Sequence, residues 1–272
     1  MSSIGRLVHK SQTSLSWCLQ SLPVAKKESI YTLYAFCQHI DNVVDGKIKE
    51  NLLNAWEVEL FNIYERKVPV TDIGRRIYKN CMRFKIKKED FSEILNAALL
   101  DYPTPLCCPD AGTFERYYYG SMVIPIYITL VIMGLWNEEI MRRLSLSLGR
   151  AVFITNVLKN VKEDALAGHI YMPKELLQQA GITSTDPLNI ITDPNLIKVR
   201  EKLAELAFKD FEEAYIIISH KDKKETRVLR LILNTYKRYY DIMQHRGWEI
   251  MSPKPEIKRW DKIKIAFNIL FD

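Results

Sequence analysis

Residues 31–46, YTLYAFCQHIDNVVDG, decide how the rest of the chain is read. With the preceding Ile30, the residues Leu33, Tyr34, Cys37 and Val44 recur at the spacing of one apolar helical face. At about 100° per residue, Asp41 falls between Cys37 and Tyr34, and Asp45 lies beside Tyr34. The two acids therefore border the face that should be buried. Carboxylates one turn apart repel each other even when exposed, and cost more when half-buried unless a cation neutralises them. Mg²⁺ suits such a pair, because it takes one or two carboxylates, keeps several waters and completes its shell with phosphate oxygens. The alternative is a helix that frays near Gly46 with both acids solvated. From this stretch alone the two readings weigh equally.

Outward from it, the 272 residues are 47% hydrophobic and 26% charged, which describes a globular chain with ample core. Ten glycines and eleven prolines are few for this length and sit mostly between periodic segments, which favours an all-α chain. The spacing predicts helices over residues 51–67, 72–84, 88–100, 114–134, 138–167, 196–219 and 226–245, with loops at 101–110 and 183–194. No linker or repeat interrupts them, so residues 1–272 read as a single domain. A net charge of +6 fits anionic lipid, anionic substrate or nucleic acid without choosing among them. The basic residues read as scattered, which ranks nucleic acid lowest. Five cysteines without CxxC spacing, together with an N-terminus lacking an apolar signal core, point to the reducing cytoplasm. The longest apolar run, 122–136, is too short to span a bilayer and contains Pro125, where the helix should kink or start.

A second stretch, residues 151–173, AVFITNVLKNVKEDALAGHIYMP, lines Asn156, Asn160 and Asp164 along one helical stripe, with Phe153 and Val157 beside it. Polar groups threaded along an apolar helix need partners. An inter-helix hydrogen-bond network would satisfy them. So would a metal cluster, since two acid-bearing helices facing a shared cavity are how helical bundles build metal sites.

These two stretches resemble the signature regions of the squalene/phytoene synthases, and the likeness extends over most of the chain, including SLPVAKKESIYTLYAFC and PKELLQQAGI. The resemblance implies a single all-α isoprenoid-synthase bundle around a central apolar cavity. It implies head-to-head condensation of two prenyl diphosphates, C15 or C20, through a cyclopropylcarbinyl diphosphate. Carried over by position, Asp41 and Asp45 match the first motif, and Asn156 and Asp164 match the second. Tyr171 lies at the turn that follows. Tyr117, Tyr118 and Tyr119 sit where the family carries an active-site tyrosine, and Tyr119 is taken as the catalytic one. Mg²⁺, with Mn²⁺ as an alternative, would be held by Asp41, Asp45, Asn160 and Asp164. Gln38, Tyr117, Phe153, Asn160 and Tyr171 would contact substrate. Three of these residues depart from the family pattern: Gln38 stands for the usual Arg, Phe153 for Gln, and Asn160 for the first aspartate of the second motif. Glu163, three residues beyond Asn160, is the candidate to compensate.

No nicotinamide-binding fingerprint is present, so NADPH use is open. Two other classes stand beside the prenyltransferase: a degenerate relative serving as a binding or assembly protein, and a head-to-tail elongase or cyclase. The second usually has a denser first acidic motif than DNVVD. Partners expected from the resemblance are prenyl diphosphates, with the protein a monomer or homodimer. At the C-terminus, Ile257, Trp260, Ile263, Phe267, Leu270 and Phe271 share one helical side opposite Lys258, Arg259 and Lys262. That pattern fits either packing on the bundle or peripheral contact with a membrane.

Overall fold

A computed structural model describes residues 22–44 and 52–271 of the protein. In chain order its α-helices are α1 (Val24–Val44), α2 (Leu52–Tyr64), α3 (Asp72–Phe84), α4 (Lys88–Leu99) and α5 (Ala111–Tyr118). A π-helical turn, Tyr119–Val123, leads into α6 (Ile124–Met133), followed by the long α7 (Glu138–Leu166). The remainder are α8 (Lys174–Gln179), α9 (Pro187–Thr192), α10 (Leu196–Ser219), α11 (Arg227–Arg246) and α12 (Arg259–Phe271). Among the described residues the only β-pairing is an isolated parallel bridge between Cys107 and Ile170. The fold is all-α. Its backbone groups into two compact units: the described residues up to Pro103 with Tyr119–Gly149, and Thr104–Tyr118 with Arg150 onward.

In the first unit, Pro23 sits just before α1, where its missing N–H costs nothing, and its carbonyl accepts from Lys27 N at 3.1 Å. The buried side of α1 is broader than one stripe, and Phe36 is fully inside it. Phe36 meets Trp56 of α2 and Phe91 of α4 edge-on, at 4.9 and 5.4 Å between ring centres. These three rings knit α1, α2 and α4 together. Ser29 Oγ donates to Asn80 Oδ1 at 2.7 Å and ties α1 to α3, while Lys26 Nζ donates to the carbonyl of Met133 at the end of α6, 2.6 Å away.

The single helix expected over residues 114–134 is corrected to α5, the π-turn and α6. The backbone at Gly120 lies directly on α4: a Cβ there would sit 2.1 Å from the carbonyl oxygen of Glu93. Pro125 lies where the π-turn passes into α6, so its missing N–H falls at the break in the helical ladder. The loop expected over 183–194 contains α9. Asp186 Oδ1 accepts from Leu188 N at 2.8 Å and Pro187 opens the helix, so this Asp-Pro step is a helix start.

The second unit packs the C-terminal part of α7 with α10 and α11. Arg200 of α10, fully buried, donates to the carbonyls of Trp248 and of Leu158, the latter at 3.2 Å, and burial pushes its pKa down to about 10. Arg150 forks onto Asp210 through Nε–Oδ2 at 2.7 Å and Nη2–Oδ1 at 2.8 Å, and this pairing raises the guanidinium pKa. Because Asp210 is only 3% exposed, Arg150→Met should cost about 3–5 kcal/mol by stranding a buried carboxylate. The double variant Arg150→Met/Asp210→Leu should recover most of that loss. Urea unfolding of the three proteins checks it.

At the C-terminus, Ile257 and Ile269 are buried, whereas Trp260, Ile263 and Phe267 are 80, 53 and 57% exposed. The apolar side read from the sequence is thus divided, and the side chains of Leu270 and Phe271 lie outside the described set. Arg238 of α11 holds Asp261 of α12 at 3.0 Å. Among the described residues, no helix is long and apolar enough to cross a membrane.

Candidate active site

Asp41 lies in the last turn of α1, half-buried, with its Oδ2 atom fully covered. One turn earlier Cys37 is buried, and its thiol pKa is pushed up first by burial and then by the charge of Asp41. Gln38 is half-buried on the same helix. Asp45 lies outside the described residues. The helical reading of this stretch thus extends through Val44, and Asp41 stands at the edge of the buried face.

The second stretch is a continuous part of α7. Asn156 and Asn160 are buried, and so is Lys159 between them in sequence. Lys159 Nζ donates to Asn156 Oδ1 at 2.9 Å, and Asn156 Nδ2 donates to the hydroxyl of Tyr236 on α11 at 3.4 Å. The ammonium also faces the rings of Tyr239 and Tyr236, 4.3 and 5.6 Å from their centres. Asn160 is 1% exposed, yet neither atom of its amide has a hydrogen-bond partner among the described residues. A buried, unsatisfied amide costs about 1–3 kcal/mol per group. Such a group calls for a partner, and a water, an ion or a ligand oxygen would each supply one.

Asp164, half-buried, borders a cavity of about 10 Å³ with Val157, Val161, His169 and Tyr171, room for one water. Tyr171 bonds His169 Nδ1 through its hydroxyl at 3.0 Å and stacks on Tyr117 with ring centres 5.2 Å apart. Phe153 is the hub of the neighbouring aromatics, with Phe114, Tyr117 and Tyr118 all within 5.9 Å. The three consecutive tyrosines therefore separate. Tyr117 joins Tyr171 and Phe153, while Tyr118 hydrogen-bonds Arg150. Tyr119 belongs to the first unit, where it lies in the field of Arg142 and Tyr127. Glu163 is exposed and 3.8 Å from Lys254, so its carboxylate points to a surface pair and away from a compensating role.

Lys159, Tyr236 and Tyr239 are absent from the residues singled out by sequence. Tyrosines at 236, 239 and 240 do share one helical face, which was the available signal. Lys159 carried none, because a lysine beside a polar stripe is ordinarily solvated.

Among the described residues no three His, Cys, Asp or Glu side chains form a metal-binding group. The donors fit a hard divalent cation at Asp41, which supplies a partly buried carboxylate. At the second motif they fit it poorly, since Asp164 is the one carboxylate and an ammonium already occupies Asn156 Oδ1. That set suits an anion instead: Lys159 and the Asn160 amide both offer N–H donors.

The all-helical chain, with Asp41 on one helix and Asn156, Asn160 and Asp164 along another, has the squalene synthase-like fold. The chain belongs to the squalene/phytoene synthase family, whose family model matches residues 8–261. It is 29% identical over 254 residues to a presqualene diphosphate synthase of Sinorhizobium fredii, covering 92% of this chain and 90% of that one. It is 24% identical over 265 residues to the phytoene synthase of Arthrospira platensis, covering 90% of this chain and 84% of that one. A crystal structure of a dehydrosqualene synthase in complex with ligand superposes with a TM-score of 0.82 at 22% identity, over 98% of this chain and 94% of that one. The fold class, the family and the prenyltransferase class read from the two motifs are thereby established.

Proposed function

We propose that the protein condenses two C15 prenyl diphosphates head to head and releases the cyclopropylcarbinyl product, presqualene diphosphate. The observation that carries this is similarity along nearly the whole chain to three presqualene diphosphate synthases, at 29, 29 and 27% identity. The residues present support the chemistry. Asp41, with Asp45, would hold a divalent cation, which would supply positive charge to a leaving diphosphate. At the second motif Lys159 and the Asn160 amide donate to diphosphate oxygens directly, with Asn156 and Tyr236 holding the ammonium in place. The aromatic cluster around Phe153 and Tyr117 supplies rings for cation–π stabilisation of the allylic cation in apolar surroundings that exclude water. Tyr171, coupled to His169, provides a path for the proton lost on closing the cyclopropane. In this reading Tyr117 takes the role first given to Tyr119, because it is Tyr117 that stacks on Tyr171. The exposed Trp260, Ile263 and Phe267 suit peripheral contact with a membrane that holds the lipid product.

Incubation of the purified protein with Mg²⁺ and either the C15 or the C20 diphosphate, followed by dephosphorylation and mass spectrometry, tests the reading. The expected product is the C30 cyclopropyl alcohol from the C15 substrate, unchanged in amount or identity by NADPH. A C40 product alone would reassign the substrate, and a reduced C30 hydrocarbon formed with NADPH would move the end point.

A further inference from the structure

We infer that residues 58–88 form a docking surface for an anionic lipid bilayer. Residues 58–88 contain nine lysines and arginines and three acids, Glu59, Glu65 and Asp72, a local net charge of +6 that equals that of the whole chain. The basic residues are therefore concentrated, which corrects the reading of them as scattered. Eight of the nine are exposed in the structure, and Lys88 is half-exposed. Arg76, Lys79 and Arg83 lie on one side of α3 at i, i+3 and i+7. Arg66, Lys67, Arg75, Arg76 and Lys79 line a surface groove of about 420 Å³. Among the carboxylates that meet this group, Asp72 pairs with Arg75, Glu138 lies 3.8 Å from Lys87, and Asp90 accepts from Lys87 N at 3.1 Å.

Charge alone would suit several anions, and the loop between α2 and α3 narrows the choice. Val68 and Val70 are 84 and 75% exposed, on either side of a buried Pro69. Their outward presentation is built. Glu59 of α2, only 4% exposed, accepts from Val70 N at 3.0 Å, from Thr71 N at 2.8 Å and from Thr71 Oγ1 at 2.9 Å. Arg75 Nη1 adds a bond to the carbonyl of Val70 at 2.9 Å. Gly74 is required here, because a Cβ would lie 2.0 Å from Glu59 Oε1. A buried carboxylate thus fixes the backbone at Val70 and Thr71, and Val68 shares its groove with Arg66, Lys67, Arg75, Arg76 and Lys79. Aliphatic tips that enter the headgroup layer, with cations over anionic lipid, are the two components of interfacial binding. Stacking of single-stranded nucleic acid would need bare aromatic faces. Phe61, the exposed ring nearby, is covered instead by the ammonium groups of Lys67 and Lys88, at 4.9 and 5.4 Å.

Vesicle flotation of the full chain tests this without substrate. The protein should bind phosphatidylcholine vesicles containing phosphatidylglycerol, fail to bind pure phosphatidylcholine, and be released by salt. Arg76→Ala/Lys79→Ala/Arg83→Ala should lower the partition coefficient roughly a hundredfold. Val68→Ser/Val70→Ser, which leaves the charge unchanged, should lower it roughly tenfold. Lys198→Ala/Lys202→Ala on α10 serves as the control of equal kind and should bind like the parent. Circular dichroism verifies that each variant is folded. Parental binding by the triple variant overturns the proposal. So does complete loss of binding on removing residues 255–272 alone, or retention on an RNA filter at salt that frees the protein from vesicles.

Discussion

Asp41→Asn is expected to abolish turnover, by roughly a thousandfold or more, while leaving the fold intact. A metal-held carboxylate supplies several kcal/mol of charge stabilisation to a departing diphosphate, and each 1.4 kcal/mol or so is a factor of ten in rate. The substitution keeps the shape of the side chain at the end of α1 but removes its charge. One local effect then favours the folded variant in the absence of metal: a neutral amide replaces a carboxylate whose Oδ2 is fully covered. The melting temperature without metal should therefore be unchanged or slightly higher than that of the parent. Stabilisation on adding Mg²⁺ and inorganic diphosphate, evident in the parent, should shrink in the variant. Thermal melts with and without those ligands, set beside initial rates, measure both effects. A marked fall in melting temperature with activity preserved would show that Asp41 serves packing and not chemistry.

Much of the helical framework was legible because its periodicity is strong and its boundaries carry ordinary signals. Helix α3 spans Asp72–Phe84 as read, with Thr71 accepting from Gly74 N at its start, and α10 spans Leu196–Ser219 as read. A break was legible at Pro125, but its π form was not: Gly120 lets the turn rest against the Glu93 carbonyl, a contact with no local sequence signature. The same holds for the tyrosines. Consecutive residues on a helix diverge by about 100°, so Tyr117 and Tyr118 face different neighbours, and only tertiary packing shows which one meets Tyr171. Asn156 and Asn160 were identified from the stripe they share with Asp164. That Asn156 is bonded by Lys159 whereas Asn160 is left without a partner was not readable, since it depends on Tyr236 and Tyr239, about eighty residues further along. The charge cluster at 66–88 was visible in the sequence. Its meaning came from the exposure of Val68 and Val70, which alternation with Pro69 alone does not establish.

The second large effect is expected at the Lys159–Asn160 pair. An asparagine in place of the family's aspartate cannot cancel the charge of a divalent cation, and hard cations favour carboxylates. The structure places the Lys159 ammonium, one residue before that neutral amide in sequence, on Asn156 and over two tyrosine rings. If Lys159 does at this motif what a metal ion does at the first, its removal should be severe. Lys159→Met keeps much of the volume and removes the ammonium, and should lower kcat/KM roughly a hundredfold, in line with truncating one partner of a buried charged hydrogen bond. Asn160→Asp should act in the opposite direction, raising the rate at saturating Mg²⁺ and steepening its dependence on Mg²⁺. The double variant decides between the two accounts. With a carboxylate restored and the ammonium gone, Lys159→Met/Asn160→Asp should regain activity over Lys159→Met alone, and should bind one more Mn²⁺ per chain by electron paramagnetic resonance in the presence of a non-hydrolysable prenyl diphosphate analogue. Equal Mn²⁺ stoichiometry in parent and double variant, with Lys159→Met as active as the parent, would place Lys159 outside the chemistry. If no variant and no prenyl diphosphate yields product, while the parent still binds the analogue, the degenerate binding protein is the correct reading: the neutral Asn160 would then mark a site that retains its ligand and has lost the charge needed to ionise it.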